Sequence, residues 1–269
     1  MKRLLLAFVS CAGLLTAAHA HDLFLKFDGY FLKPNSTSIA RLFSGTFRFS
    51  ENAVARDRFV DASLVKPDGS RAPINADDWR DEANKATLKL QTGEAGTYVA
   101  GITLKPREIT LKAAKFNAYL REDGIPDILA ARRRDKELGR GSHERYSKHV
   151  KALFQVGDAR TNNFNIKLGH PVEIIPQQNP YSLKIGDTLE VLCLKDGQPL
   201  ANQFVMAGRE SGNQIVNASD ARSDSNGIGH IKLNGGGKWF IKFIHMAKLN
   251  EPGFDYESKW ASLTFAIRP

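Results

Sequence analysis

What most constrains this chain is the spacing of its turns. Pro67-Asp68-Gly69, Gly93 to Gly96, Asn179-Pro180-Tyr181, Asp196-Gly197, Asp224 to Gly227 and Gly235 to Gly237 break it into short stretches. In Pro67-Asp68-Gly69 the proline presets φ for a turn and the glycine accepts positive φ. Asp196-Gly197 is a hairpin signal. Between such breaks, residues 36–42, 59–66, 86–91, 97–104, 150–156, 172–176, 188–194, 200–207, 228–233, 239–245 and 259–267 read as strands, while 52–58 is ambiguous. Short strands at about 8–12-residue spacing favour a β-sandwich over a parallel α/β sheet. In Gly93-Glu-Ala-Gly-Thr-Tyr-Val-Ala, Tyr98 is expected to turn inward, as in the last hairpin of an immunoglobulin-like sandwich.

One segment departs from this pattern. Residues 113–120 are amphipathic at helical spacing, and a second helical piece over 128–138 is expected to end at Gly139. This charged segment, about 112–147, reads as a helical insertion. Its run Arg132-Arg133-Arg134 lies among Asp127, Asp135 and Glu137, so a solvated helix face is expected there. Leu168-Gly169-His170-Pro171 is the best boundary, giving an N-terminal module over 21–168 and a C-terminal module over 169–269.

The first twenty residues follow the secretory pattern: Lys2 and Arg3, a short apolar core, and Ala18 and Ala20 flanking a cleavage point. The apolar run is short for a membrane span. A cut after Ala20 removes two of the 38 basic residues and none of the 29 acidic ones, so the formal charge falls from +9 to +7. That excess is spread along the chain, and with export it argues against nucleic acid as a partner. Cys11 would leave with the signal and Cys193 would stand alone, so no internal disulfide is expected although an oxidising compartment would permit one. A remaining chain of about 250 residues is long enough for two ordinary domains. The expected location is periplasmic, with no transmembrane segment in the processed chain.

Several phrases carry a family resemblance: His21-Asp-Leu-Phe-Leu, Glu144-Arg-Tyr-Ser-Lys-His-Val-Lys-Ala-Leu, Asn179-Pro-Tyr-Ser-Leu-Lys-Ile-Gly-Asp, Asp224-Ser-Asn-Gly, Gly237-Lys-Trp-Phe-Ile-Lys-Phe-Ile-His-Met and Glu257-Ser-Lys-Trp-Ala-Ser-Leu-Thr-Phe. Together they resemble a bacterial secreted family of unknown function whose members are commonly labelled periplasmic components of nickel or cobalt uptake. The resemblance implies immunoglobulin-like or transthyretin-like β-sandwich modules. The fold expected is therefore mainly all-β: two such modules with a short helical insertion.

The candidate chemistry starts at His21. After a cut at Ala20 its α-amine and imidazole would lie on one residue and could chelate nickel, cobalt or copper. At period two, His21, Leu23, Leu25 and Phe27 share one face of a first strand, which pins the terminus to a sheet. The other N-terminal motif, histidine at the third position, is absent because that residue is Leu23. His245 is the expected partner: it ends the stripe Trp239, Ile241, Phe243 and matches a histidine of the resembled family. Asp255 and Glu257 could add an oxygen ligand or orient the imidazole. Each of these also has a plain structural reading, as a packed histidine or a solvated loop carboxylate. His149 reads as structural, His170 as a linker residue, His230 as exposed, Cys193, Trp239 and Trp260 as core.

No G-x-S-x-G elbow, H-E-x-x-H or Walker loop is present, and Gly235 to Gly237 is followed by a strand, not a helix. A non-enzymatic protein is expected. Three functions stay open: binding a divalent transition ion and delivering or buffering it for a membrane transporter; a metal-free structural or interaction module docking on another envelope protein; and a copper-dependent oxidative enzyme built on the terminal histidine.

Overall fold

The computed structural model describes residues 21–269; the expected signal lies outside them. Three sheets form the body. The central one holds ten strands in the order Gln214–Arg222, Phe204–Ser211, Gly237–Glu251, Phe254–Ile267, Ser142–Val156, Gly96–Leu104, Phe59–Val65 and Arg71–Pro73, with Arg107–Leu111 and Phe31–Leu32 also pairing to Ser142–Val156. A five-stranded sheet contains Asp22–Phe27, Thr37–Gly45, Lys85–Gln91 and Trp79–Glu82 in order, with Ser50–Asn52 on Thr37–Gly45. A four-stranded sheet contains Val172–Pro176, Thr188–Lys195, Gln198–Pro199 and Ile228–Lys232. The expectation of a mainly β, multi-sheet sandwich holds.

Strand alternation sorts the central sheet's side chains between two cores. Val150, Ala152 and Phe154 join Leu25, Phe27, Leu42, Leu88 and Trp79 under the five-stranded sheet. Leu153, with Trp239, Ile241, Phe243, Leu263 and Phe265, packs against Val172, Ile174, Leu189, Val191 and Cys193 of the four-stranded sheet. The middle strands are therefore covered on both faces. Tyr98 turns inward as expected: its hydroxyl donates to the Glu94 carbonyl (2.9 Å) and its ring stacks on Phe154 at 5.1 Å.

The two expected modules share this central sheet. Phe254–Ile267, from the second half, runs parallel to Ser142–Val156, from the first, with Glu144 opposite Tyr256 and Ala152 opposite Thr264. The Asp196-Gly197 turn forms as expected, both residues at positive φ (49° and 77°) with Lys195 opposite Gln198.

The insertion forms two helices, Ala113–Glu122 and Pro126–Arg134. Phe116, Tyr119 and Leu120 recur at helical spacing and bury against Ile244, Met246, Tyr256 and Trp260, on the face of the central sheet that also carries the first core. The second helix ends four residues before the expected point. Asp135 donates back to the Ala131 carbonyl and Lys136 takes positive φ (57°), which breaks the α path before Gly139 is reached. Only part of the Arg132-Arg133-Arg134 run is solvated. Arg132 is buried, its guanidinium over the Phe116 ring (4.7 Å) and donating to the Glu137 and Arg140 carbonyls. Residues 142–147, expected within the insertion, already belong to the long strand. Its polar residues are buried by partners that lie far away in sequence.

Candidate functional site

The first strand ties His21 to the central sheet. Asp22 accepts from Lys242 Nζ at 2.6 Å, and Asp123, after the first helix, accepts from the same nitrogen at 3.2 Å. Ser262 and Thr264 hydroxyls donate to the carbonyls of Leu23 and Leu25. Lys148 Nζ donates to the His21 carbonyl. These links hold residue 21 at one wall of a cleft of about 440 Å³, lined also by Asn52, Arg58, Arg107, Glu108, Tyr146 and Lys148. The His21 ring is 17% exposed and its Nε2 lies 3.3 Å from a Glu51 carboxylate oxygen.

Lys148 forms the buried side of this cleft. It is 5% exposed, and its Nζ sits 4.7 Å from the Trp260 ring centroid and 5.3 Å from that of Tyr146. Burial pulls its ammonium down to about 8, against the pull of the Asp22 charge. Lys242 keeps a raised pKa despite burial because Asp22 and Asp123 both face it. Burial raises Asp123 to about 6 even with Lys242 beside it. Behind Lys148, Glu144 accepts from the Tyr119 hydroxyl (3.1 Å) and from the Ser258 hydroxyl, which in turn accepts from Trp260 Nε1 (2.9 Å). Burial pushes the Glu144 carboxyl up to about 7.

His245 is not in this cleft. Its neighbours Lys242, Ile244 and Met246 face the first strand and the helices, while His245 alternates to the opposite face with Trp239, Ile241 and Phe243. It lines a separate groove of about 260 Å³ beside Ile125, Pro126, Asn202 and Gln203. Burial and the Lys195 and Lys259 charges lower its pKa. Glu257 is on the same face as His245 but is bonded by Arg145 Nε (3.2 Å) and lies 3.2 Å from Lys259 Nζ. Asp255 accepts from the His143 backbone N–H (2.8 Å). The four sequence candidates are thus spread over three places. Among the described residues no group of three or more His, Cys, Asp and Glu side chains converges as a metal site. The side chains fit a transition ion only in part: His21 brings one imidazole and Glu51 a carboxylate at its far nitrogen, and the α-amine would have to complete the set.

Other histidines fall as follows. His149 is buried, bonded to Thr103 Oγ1 (3.2 Å) and Ser147 Oγ (3.0 Å). His170, expected in a linker, is buried with its ring 6.0 Å from that of His149; its Nε2 is 3.6 Å from Asp61, beyond hydrogen-bond reach. His230 is exposed, 3.6 Å from Glu190. Cys193, Trp239 and Trp260 are core residues.

Sequence reasoning missed Arg58, Arg107, Tyr146 and Lys148. A signal for the last two was present: Glu144, Tyr146 and Lys148 alternate at period two and so share a face.

Residues 18–247 match the model of a family described as Domain of unknown function (DUF4198). The chain belongs to that family. The match includes His21 and His245 and stops before Asp255 and Glu257. Among curated proteins no sequence match is found. Solved structures similar to this DUF4198 chain include the D0–D1 domains of intimin (13% identity, 91% of this chain and 97% of that one, TM-score 0.22). A second is the Escherichia coli adhesin FdeC (9% identity, 94% and 65%, TM-score 0.23). A third is a Salmonella alpha-2-macroglobulin variant (12% identity, 93% and 15%, TM-score 0.24). At these TM-scores the likeness carries no argument. No described helix is long and apolar enough to cross a membrane.

Proposed function

We propose that this DUF4198 protein is a periplasmic metal-binding module that holds a divalent transition ion (nickel, cobalt or copper) at His21 and delivers it to, or buffers it for, an uptake system. The observation that carries the reading is the setting of His21. Its carbonyl is held by Lys148, its neighbour Asp22 by Lys242, and its ring by Glu51 at 3.3 Å, so the residue is fixed at a cleft wall. If the chain is cut after Ala20, the α-amine and Nδ1 of His21 would be the groups to hold the ion, with Glu51 beside the far nitrogen Nε2 (3.3 Å). A carboxylate on the far ring nitrogen orients a ligating imidazole and raises its basicity. The resemblance to proteins labelled as nickel or cobalt uptake components supports the same reading. His245, on the other face, drops out of the proposed ligand set.

The test compares three chains by calorimetric titration with Cu(II) and Ni(II): one beginning at His21, one with a glycine added before His21, and His21→Ala. The first should bind one ion per chain, and the other two at least about tenfold more weakly, because each loses one arm of the chelate. Equal affinity in all three chains would sink the proposal.

A further inference from the structure

The charges around the cleft call for a second ligand of opposite sign. Lys148, Arg58 and Arg107 all line the same space of about 440 Å³, a volume typical of small-molecule sites. Arg58 is half-buried, with a weak bond to the Lys105 carbonyl (3.4 Å), and its pKa is lowered by burial and by the Arg107 charge. No described residue forms an ion pair with Arg58, Arg107 or Lys148 within 4.0 Å. Glu108 on the cleft wall faces His143 Nε2 (3.4 Å) and Glu51 faces His21 (3.3 Å), while the charges of Asp22, Asp123 and Glu144 act on Lys148 without pairing to it. The other buried lysines are paired with carboxylates, whereas buried Arg132, like Lys148, rests on backbone carbonyls and an aromatic ring. Lys151 has Glu173 at 2.9 Å, and Lys242 has two aspartates. Lys148, equally buried, has a backbone carbonyl and two aromatic rings instead.

We infer that the cleft binds a small oxyanion, through carboxylate or phosphate groups, held by Arg58, Arg107 and Lys148. Guanidinium groups suit such ligands because their N–H forks match the two oxygens of a carboxylate or phosphate. Lys148 supplies a point charge from the partly dehydrated floor, where a charge pair is screened less than at the surface. Asn52 and Tyr146, which also line the cleft, carry neutral hydrogen-bonding groups. A cleft of about 440 Å³ matches a small anion in size. This inference is independent of the metal reading.

The experiment titrates citrate and, separately, inorganic phosphate into the full chain at low ionic strength. The protein is first passed over a chelating resin, so that no metal takes part and no soluble chelator competes. At least one probe should bind; tighter citrate assigns carboxylate chemistry and tighter phosphate assigns phosphate. Arg107→Gln, at an exposed position, should weaken the tighter probe about tenfold, and Arg58→Gln with Arg107→Gln should abolish binding while the melting temperature stays near that of the parent. Arg133→Gln, exposed on the second helix, should leave affinity unchanged. Failure of both probes to bind, unaltered affinity in the double variant, or an equal loss in Arg133→Gln would overturn the inference.

Discussion

Lysine is almost never fully buried unless it is paired, yet Lys26, Lys148, Lys151 and Lys242 are each less than 9% exposed. Lys26 meets Glu210 and the Phe47 carbonyl, Lys151 meets Glu173, and Lys242 meets Asp22 and Asp123. Two histidines are buried without charge. Burial lowers His149 to about 3, aided by His170, and lowers His170 to about 4, with Glu173 and Asp61 opposing. The sign of the linkage follows. An unfolded chain protonates both near their ordinary value of 6.5, while the folded chain stays unprotonated until pH falls to about 4 and below. The stability they confer is present above pH 6.5 and is lost as pH falls, at up to about 1.4 kcal/mol per pH unit for each. Raised Glu144 and Asp123 oppose this slope over part of the same range, so the reading is a difference: in urea unfolding at stepped pH, His149→Gln should lose less stability than the parent as pH falls from about 6 to 4. A slope identical to the parent's would refute the assignment. Glu144 acts oppositely over a higher window: its carboxyl holds its proton up to about 7, so its contribution falls as pH rises from 4.5.

At the scale of elements, one ammonium joins three of them. Lys242 binds the first strand through Asp22 and the end of the first helix through Asp123. Removing one partner of a buried ion cluster leaves the others unpaired and costs about 3–5 kcal/mol. Lys242→Ala should therefore lower unfolding free energy by that order. Lys242→Met combined with Asp22→Asn and Asp123→Asn should recover most of it, because no uncompensated charge remains. Chemical denaturation checks both, and a triple variant as unstable as Lys242→Ala would refute the account. Elements with a local cause were legible in the sequence: the Asp196-Gly197 hairpin, the Pro67-Asp68-Gly69 turn, the inward Tyr98 and the apolar face of the first helix. The long strand beginning at Ser142 was not fully legible. Glu144, Tyr146 and Lys148 read as polar chain, because the groups that make their burial tolerable come from Tyr119, Ser258, Trp260 and His21.

For the whole molecule, the parallel pairing of Ser142–Val156 with Phe254–Ile267 makes one sheet of both halves. A sheet interrupted at that seam would leave two unpaired edges and two open cores. Unfolding should therefore be a single transition. Trp79 reports the first core, and Trp239 the second. Fluorescence from Trp79 alone (Trp239→Phe with Trp260→Phe) and from Trp239 alone (Trp79→Phe with Trp260→Phe) should each superimpose on that variant's own far-ultraviolet dichroism transition. Separated midpoints would mean two independent domains. The same sheet decides the site. It places His21 and His245 on opposite faces, although each was a reasonable ligand on its own strand.

The sequence by itself determined the β-rich class, the turns, the inward tyrosine and the helical insertion, because each follows from local backbone preference or side-chain periodicity. The tertiary structure decided the shared central sheet, the face on which each histidine lies, and the meeting of Arg58, Arg107 and Lys148 beside His21. Those depend on strand order, which makes neighbours of residues from tens to more than two hundred positions apart and leaves no periodic trace in the chain.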